Sequence, residues 1–272
     1  FYNDKEKYVI DINHFKNEDG EYTISNSGTF DISELNGMTL LKNQYIIINA
    51  ENVTITGGDT DNKNIITLAD GHGGLIENGT NDTNDTAKTC TIQNIKVQCD
   101  GSLKNYGGGI CREYFGSGLK DGNILIDNCH FESGTIGVEG GGICGSYCGI
   151  KMTGGSLTIQ KCTNEGTIGK YAGGICGYMC GYSMRKNASL IIQNCSNEGN
   201  IQFNAGGICG YRCGYKMTDG SLKIQNCSNT GNIEGQNAGG ICGNYCGSDM
   251  TGGSLKIQNC SNTGIIGNSC GG

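Results

Sequence analysis

The chain has 272 residues, among them 49 Gly and 17 Cys but neither Pro nor Trp, and a formal net charge of −7. That charge offers no basic footprint to nucleic acid or an anionic membrane, and no apolar run reaches the roughly 18 residues of a membrane-inserted helix. Abundant Gly without a Gly-X-Y period excludes a collagen-like chain, and apolar residues recurring at fixed places exclude a disordered tract.

Residues 1–50 hold short β-branched or aromatic runs, Tyr8-Val9-Ile10-Asp11-Ile12, Tyr22-Thr23-Ile24 and Tyr45-Ile46-Ile47-Ile48, divided by Asn and Gly. They predict the strands of an N-terminal capping coil, which a solenoid needs because its terminal coil otherwise leaves unpaired backbone and open core. Residues 51–105 are expected as irregular coils and residues 106–272 as a regular Cys-rich array. Phe1 in place of Met points to a processed or fragmentary start, and Gly271-Gly272 align with the opening of another repeat, so the natural chain is expected to continue.

From residue 50 one alternating strand recurs: Val53-Thr54-Ile55, Cys90-Thr91-Ile92, Ile124-Leu125-Ile126, Leu157-Thr158-Ile159, Leu190-Ile191-Ile192, Leu222-Lys223-Ile224 and Leu255-Lys256-Ile257. Its closing Ile advances by 37, 34, 33, 33, 32 and 33 residues, a period that marks a repeat architecture. The outer two residues of each triplet face one way and the middle residue the other. Two residues on stands Asn94, Asn128, Asn194, Asn226 or Asn259, with Lys161 as the exception. Asn tolerates left-handed backbone, and its amide can bond the equivalent Asn one coil away. A second strand is expected to end at Ile136, Ile168, Ile201, Ile233 and Ile266, and a third to carry Gly-Gly-Ile-Cys. Three short strands per coil of about 33 residues, without a helical period, predict an all-β, single-stranded parallel β-helix. About eight coils at a strand spacing of about 4.8 Å would make a body on the order of 40 Å long.

The repeated Leu-x-Ile-x-Asn-Cys strand and turn resembles the right-handed parallel β-helix family that includes pectate lyases and phage tailspikes. The GGICG segment, followed by Gly-x-Ile, is similar to the GLUG-type repeats of bacterial surface proteins, and similar Cys-containing arrays occur in proteins of giant DNA viruses. The resemblance covers roughly residues 45–272. It implies the fold and its right-handed winding, and no activity.

The cysteines fall in columns. Cys111, Cys144, Cys176, Cys209 and Cys242 form the first; Cys148, Cys180, Cys213 and Cys246 the second; Cys129, Cys162, Cys195, Cys227 and Cys260 the third; Cys90, Cys99 and Cys270 complete the set. An odd total leaves at least one outside any pairing within the chain. Cys-x3-Cys pairs from two coils could surround zinc, but structural zinc favours closed sets of four whereas this pattern propagates. No metal ligand and no cofactor are therefore expected, and fourfold repetition speaks against a special redox pair. Two readings stay open: thiols stacked as small hydrophobes, or disulfides within a coil. Parallel Cβ vectors about 4.8 Å apart disfavour bonding down a column. One coil keeps Cys111 and Cys129 but has Phe115 between them, so any pairing is expected to join the first column to the third.

Met152, Met184, Met217 and Met250 form a column that reads as gap-filling core. Tyr147, Tyr178, Tyr211 and Tyr245, with Tyr182 and Tyr215, read as loop anchors, with stacking on sugars as the alternative. Gly71-His72-Gly73 resembles the Gly-His-Gly of polygalacturonases, but that family's adjacent Asp pair and downstream Arg-x-Lys are missing. The only arginines, Arg112, Arg185 and Arg212, supply no lyase base beside clustered Asp, so no catalytic residue is expected and His72 is read as a loop residue. Asn52, Asn78, Asn81, Asn84 and Asn187 open acceptor triplets for glycosylation, the polar 76–88 loop being the best candidate.

These features predict a structural or adhesive surface or fibre protein, a rigid scaffold of an extracellular or virion-surface assembly. Its expected partners are copies of itself, other structural proteins of the fibre or shell, and host glycans. The alternative is a carbohydrate-binding or carbohydrate-cleaving β-helix. Ice binding is disfavoured because the outward Thr158, Ile191 and Lys223 make no flat Thr row.

Overall fold

The computed structural model describes residues 7–15, 20–58, 65–81 and 86–271. Within them the chain winds as an all-β parallel solenoid of about 6 turns, with about 33 residues per turn and almost no helix. The two single-turn 3-10 helices, Ile12–His14 and Ser33–Leu35, both lie in the N-terminal part.

Nine strands form the first sheet, all parallel. Its register follows the sequence period: Val53 pairs with Cys90, Cys90 with Ile124, Ile124 with Leu157, Leu157 with Leu190, Leu190 with Leu222 and Leu222 with Leu255. Those six steps are the regular winding, fewer than the eight coils expected. The difference lies at the start, where Tyr8 pairs with Phe30 and Phe30 with Ile55 across shorter stretches of chain. Along each strand burial alternates as period two requires: Leu190 and Ile192 are buried, Ser189, Ile191 and Gln193 half-buried.

The second sheet has eight strands, opening on the two-residue Thr39–Leu40, widening at Ile65–Ala69 and Lys96–Asp100, and narrowing again to two-residue pieces such as Thr163–Asn164 and Ser196–Asn197. The segment expected as one strand ending at Ile168 is divided, Thr163–Asn164 and Thr167–Ile168 lying in different sheets. On the remaining side, Tyr22–Ile24, Ile46–Ile48 and Ile76–Glu77 pair, and Gly-Gly-Ile-Cys continues them as single bridges from Ile76 to Cys111, Cys144, Cys176, Cys209 and Cys242. Glycine is required there by close approach. A Cβ on Gly206 would collide with the backbone of Cys209 and of Gly243 in the next coil.

One apolar column fills the interior, including the fully buried Met152, Met184 and Met217 expected as core. The coil containing Phe115 and Phe131 is packed differently. Phe131 pairs in register with Asn164, so a ring occupies the place that an amide holds in the following coils. In the last described coil Ile257, Ile265 and Ile266 are exposed.

Candidate thiol ladder and surface groove

Parallel stacking with a constant register sets like over like, so functional chemistry here comes as ladders. The turn asparagines Asn94, Asn128, Asn194, Asn226 and Asn259 all have φ between 53 and 58°, and Lys161 adopts the same left-handed backbone at 52°. Each amide can therefore reach its neighbour: Asn128 Nδ2 donates to Asn94 Oδ1 at 2.9 Å, and Asn226 donates to Asn194 and Asn259 to Asn226 at 3.3 Å. Lys161, between Asn128 and Asn194, breaks the row.

A second ladder lies inside, and sequence reasoning missed it. Asn164, Asn197 and Asn229 are buried, and each donates one Nδ2 hydrogen to the Oδ1 of the next coil's Asn at 2.6 Å. The other hydrogen goes to Gly166, Gly199 or Gly231 carbonyl oxygen at 2.8–2.9 Å. Both donors are used, which is what makes a buried amide tolerable. The available signal was an Asn two residues after every third-column Cys from Cys162 onward, a polar residue at an inward register. A Gln row outside it, half-buried at Gln160, Gln193 and Gln225 and exposed at Gln258, bonds coil to coil at 2.6–3.2 Å.

All seventeen cysteines are free thiols. The structure groups the first column with the second, not with the third as expected for any pairing. The Sγ atoms of Cys144, Cys148 and Cys176 lie within 4.8 Å of one another, and so do those of Cys180, Cys209 and Cys213. Down one column Cys180 Sγ and Cys213 Sγ approach to 3.2 Å, because side chains on parallel Cβ vectors can lean together. The third column is separate. Its thiols point at carbonyls two residues back, Cys162 at Gln160 O (3.2 Å), Cys195 at Gln193 O (3.3 Å) and Cys227 at Gln225 O (3.3 Å). The physical reason is the left-handed residue between, which turns Cys back over the strand end.

Within the ladder, burial pushes the Cys144 thiol well above its ordinary range. Donation from Cys144 and Cys176 draws Cys148 down to about 6. Donation from Cys176, Cys209 and Cys213 draws Cys180 down in the same way.

His72 sits on its turn but is fully buried. Gly74 N–H donates to Nδ1 at 3.0 Å, and Nε2 faces Gln44 O at 3.1 Å, so the neutral ring with hydrogen on Nε2 satisfies both. Burial pulls its pKa down to about 4. It anchors two coils and faces no cleft. Nearby, the Arg112 guanidinium lies 3.8 Å over the Tyr45 ring and 3.3 Å from Glu77.

The tyrosines make a surface row. Tyr114 stacks on Tyr147 (centroids 4.9 Å), Tyr178 on Tyr211 (5.9 Å) and Tyr182 on Tyr215 (5.7 Å). Arg212 lies 4.9–5.8 Å from the Tyr211, Tyr215 and Tyr245 rings. Beside this row runs a groove of about 490 Å³ lined by Tyr114, Tyr147, Tyr182, Tyr215, Lys151, Arg212 and Lys216. A second, of the same volume, carries Lys120, Lys151 and Arg185. Among the described residues no Asp or Glu lines either, a local positive field on a chain of net charge −7.

A further cluster of ionisable side chains that does not repeat stands at the second sheet: His130 Nε2 is 2.9 Å from Glu165 and its Nδ1 3.5 Å from Glu132. Of the glycosylation candidates, Asn78 must be corrected. It is buried, its Nδ2 donates to Lys88 O at 2.8 Å and its Oδ1 accepts from Lys88 N–H at 2.7 Å, so it has no free amide. Asn52, Asn81 and Asn187 are exposed. Asn84 lies outside the described residues.

Comparison with protein-family models, curated proteins and solved structures finds no match to this chain. Among the described residues no helix is long and apolar enough to cross a membrane.

Proposed function

We propose that the chain is a structural or adhesive surface or fibre protein, the rigid repeat scaffold of an extracellular or virion-surface assembly. One observation carries this reading: the Asn, Gln and Cys ladders repeat coil after coil in one register, so the chemistry recurs along the body and does not converge on a single cleft. Elongated scaffolds draw stiffness from such nearest-neighbour interfaces, each coil supporting the next. The resemblance to right-handed β-helices of the tailspike kind and to GLUG-type surface repeats supports the same reading. Its partners would be further copies of itself or other components of a fibre or shell.

A second reading, carbohydrate binding, is favoured by the groove. Tyrosine faces suit sugar rings, and Lys120, Lys151, Arg185, Arg212 and Lys216 suit a polysaccharide bearing carboxylate or sulfate. Electron microscopy of undissociated material, beside retention of the same preparation on immobilised anionic and neutral polysaccharides, separates the two. Rods or fibres support the scaffold. Monomers retained on the anionic matrix, with retention lost in Arg212→Ala, support carbohydrate binding. Monomers that neither assemble nor bind overturn both.

A further inference from the structure

The two thiol trios share no residue, and three consecutive coils supply them. Cys144 and Cys148 of one coil meet Cys176 of the next, while Cys209 and Cys213 of the third meet Cys180 of the second. All six are buried, and each set spans no more than 4.8 Å. A metal–sulfur bond of about 2.3 Å places the three sulfurs of a planar site about 4.0 Å apart, within that span. The Cys180–Cys213 separation of 3.2 Å has to open by less than an ångström.

The donor set selects the ion. Both trios are pure sulfur, with no carboxylate or imidazole among the six, so hard cations find no ligand. Structural zinc closes with four ligands and catalytic zinc keeps an exchangeable water, whereas each set here offers three sulfurs, all fully buried. Repetition argued against a closed set of four, but an enclosed set of three is another matter. Soft, monovalent Cu(I) takes thiolate sulfur and is satisfied by three-coordinate planar geometry.

We propose that each trio binds one Cu(I) ion. In each, one S–H bond breaks and a Cu–S bond forms, the proton leaves to solvent, and two neutral thiols complete the coordination. Copper remains Cu(I), so no oxidant or reductant takes part. The filled site is neutral, as burial demands, since a net charge in this core would carry a large desolvation cost. Because the sulfurs are sealed from solvent, loading accompanies folding and the ion stabilises the coils that enclose it.

The test refolds the full chain anaerobically with reductant in chelator-buffered Cu(I), and in parallel with Zn(II), then desalts it and measures metal per chain. Two copper ions, sulfur-to-copper charge-transfer absorption and no retained zinc are expected. Cys148→Ala should retain one copper, and Cys162→Ala, in the separate third column, should retain two. X-ray absorption on the wild-type protein should show three sulfurs at about 2.3 Å, which needs no variant to fold. A chain that refolds to native β-structure in buffered Cu(I) and retains no copper overturns the proposal. So does zinc held in copper's place, or an equal loss of copper in Cys162→Ala.

Discussion

At the scale of the residue, His72 shows how the fold turns an ordinary side chain into a titration-sensitive anchor. The folded chain keeps it neutral down to about pH 4, whereas an unfolded histidine protonates near 6.5. The unfolded state therefore takes up the proton first, so this contribution to stability is whole above pH 6.5 and is lost as pH falls towards 4. A difference of that size corresponds to about 3 kcal/mol. Denaturant unfolding at pH 7.5 and pH 4.5 should show that loss in the wild-type chain and a correspondingly shallower loss in His72→Asn. Equal acid slopes in the two proteins would assign the loss to other groups. The inner asparagines work by a different balance. They are buried polar groups made tolerable because the neighbouring coils complete their hydrogen bonds, save at Asn164, whose Oδ1 faces the Phe131 coil and has no partner.

At the scale of the element, the five-residue strand is the unit that faces both core and neighbours. Ile224 is fully buried on Ser221–Gln225, the last strand but one of the first sheet. Ile224→Asp would place an unpaired carboxylate there, with an expected loss of roughly 4 kcal/mol or more and disruption of its coil. Ile257, its register partner, is 46% exposed, so Ile257→Asp should cost roughly 1 kcal/mol or less. Thermal unfolding of the two variants followed by circular dichroism checks the contrast. Equal effects would mean that the strand's inward face is not what the substitution disturbs.

At the scale of the whole molecule, stability should be close to a sum over coils and their interfaces. Ser189 pairs with Ser221, so removing residues 189–220 joins Ala188 to an equivalent strand start with every ladder kept in register. That deletion should fold cooperatively and shorten the body by about 4.8 Å in small-angle scattering. Removing only residues 189–204 should fail to fold, because it sets a turn where the sheet needs a strand. Failure of both would show that coils are not interchangeable, and success of both would show that register is not what holds them.

The sequence by itself determined the winding. Leu-x-Ile recurring every 32–34 residues from Cys90-Thr91-Ile92 onward, and a left-handed Asn two residues on, specify a parallel strand and the turn after it, since period-two burial and backbone sterics are local properties. The Met column was legible as core for the same reason. Tertiary structure alone decided which ladders face which. Cys148 joins Cys144 and Cys176, Asn164 turns inward to Asn197, and Asn78 is buried against Lys88 and Cys90. Those contacts join residues in different coils or across a loop, and their geometry depends on how far each turn rotates its side chains about the solenoid axis. Periodicity fixes the spacing of a column along the chain, and packing fixes the direction in which it points.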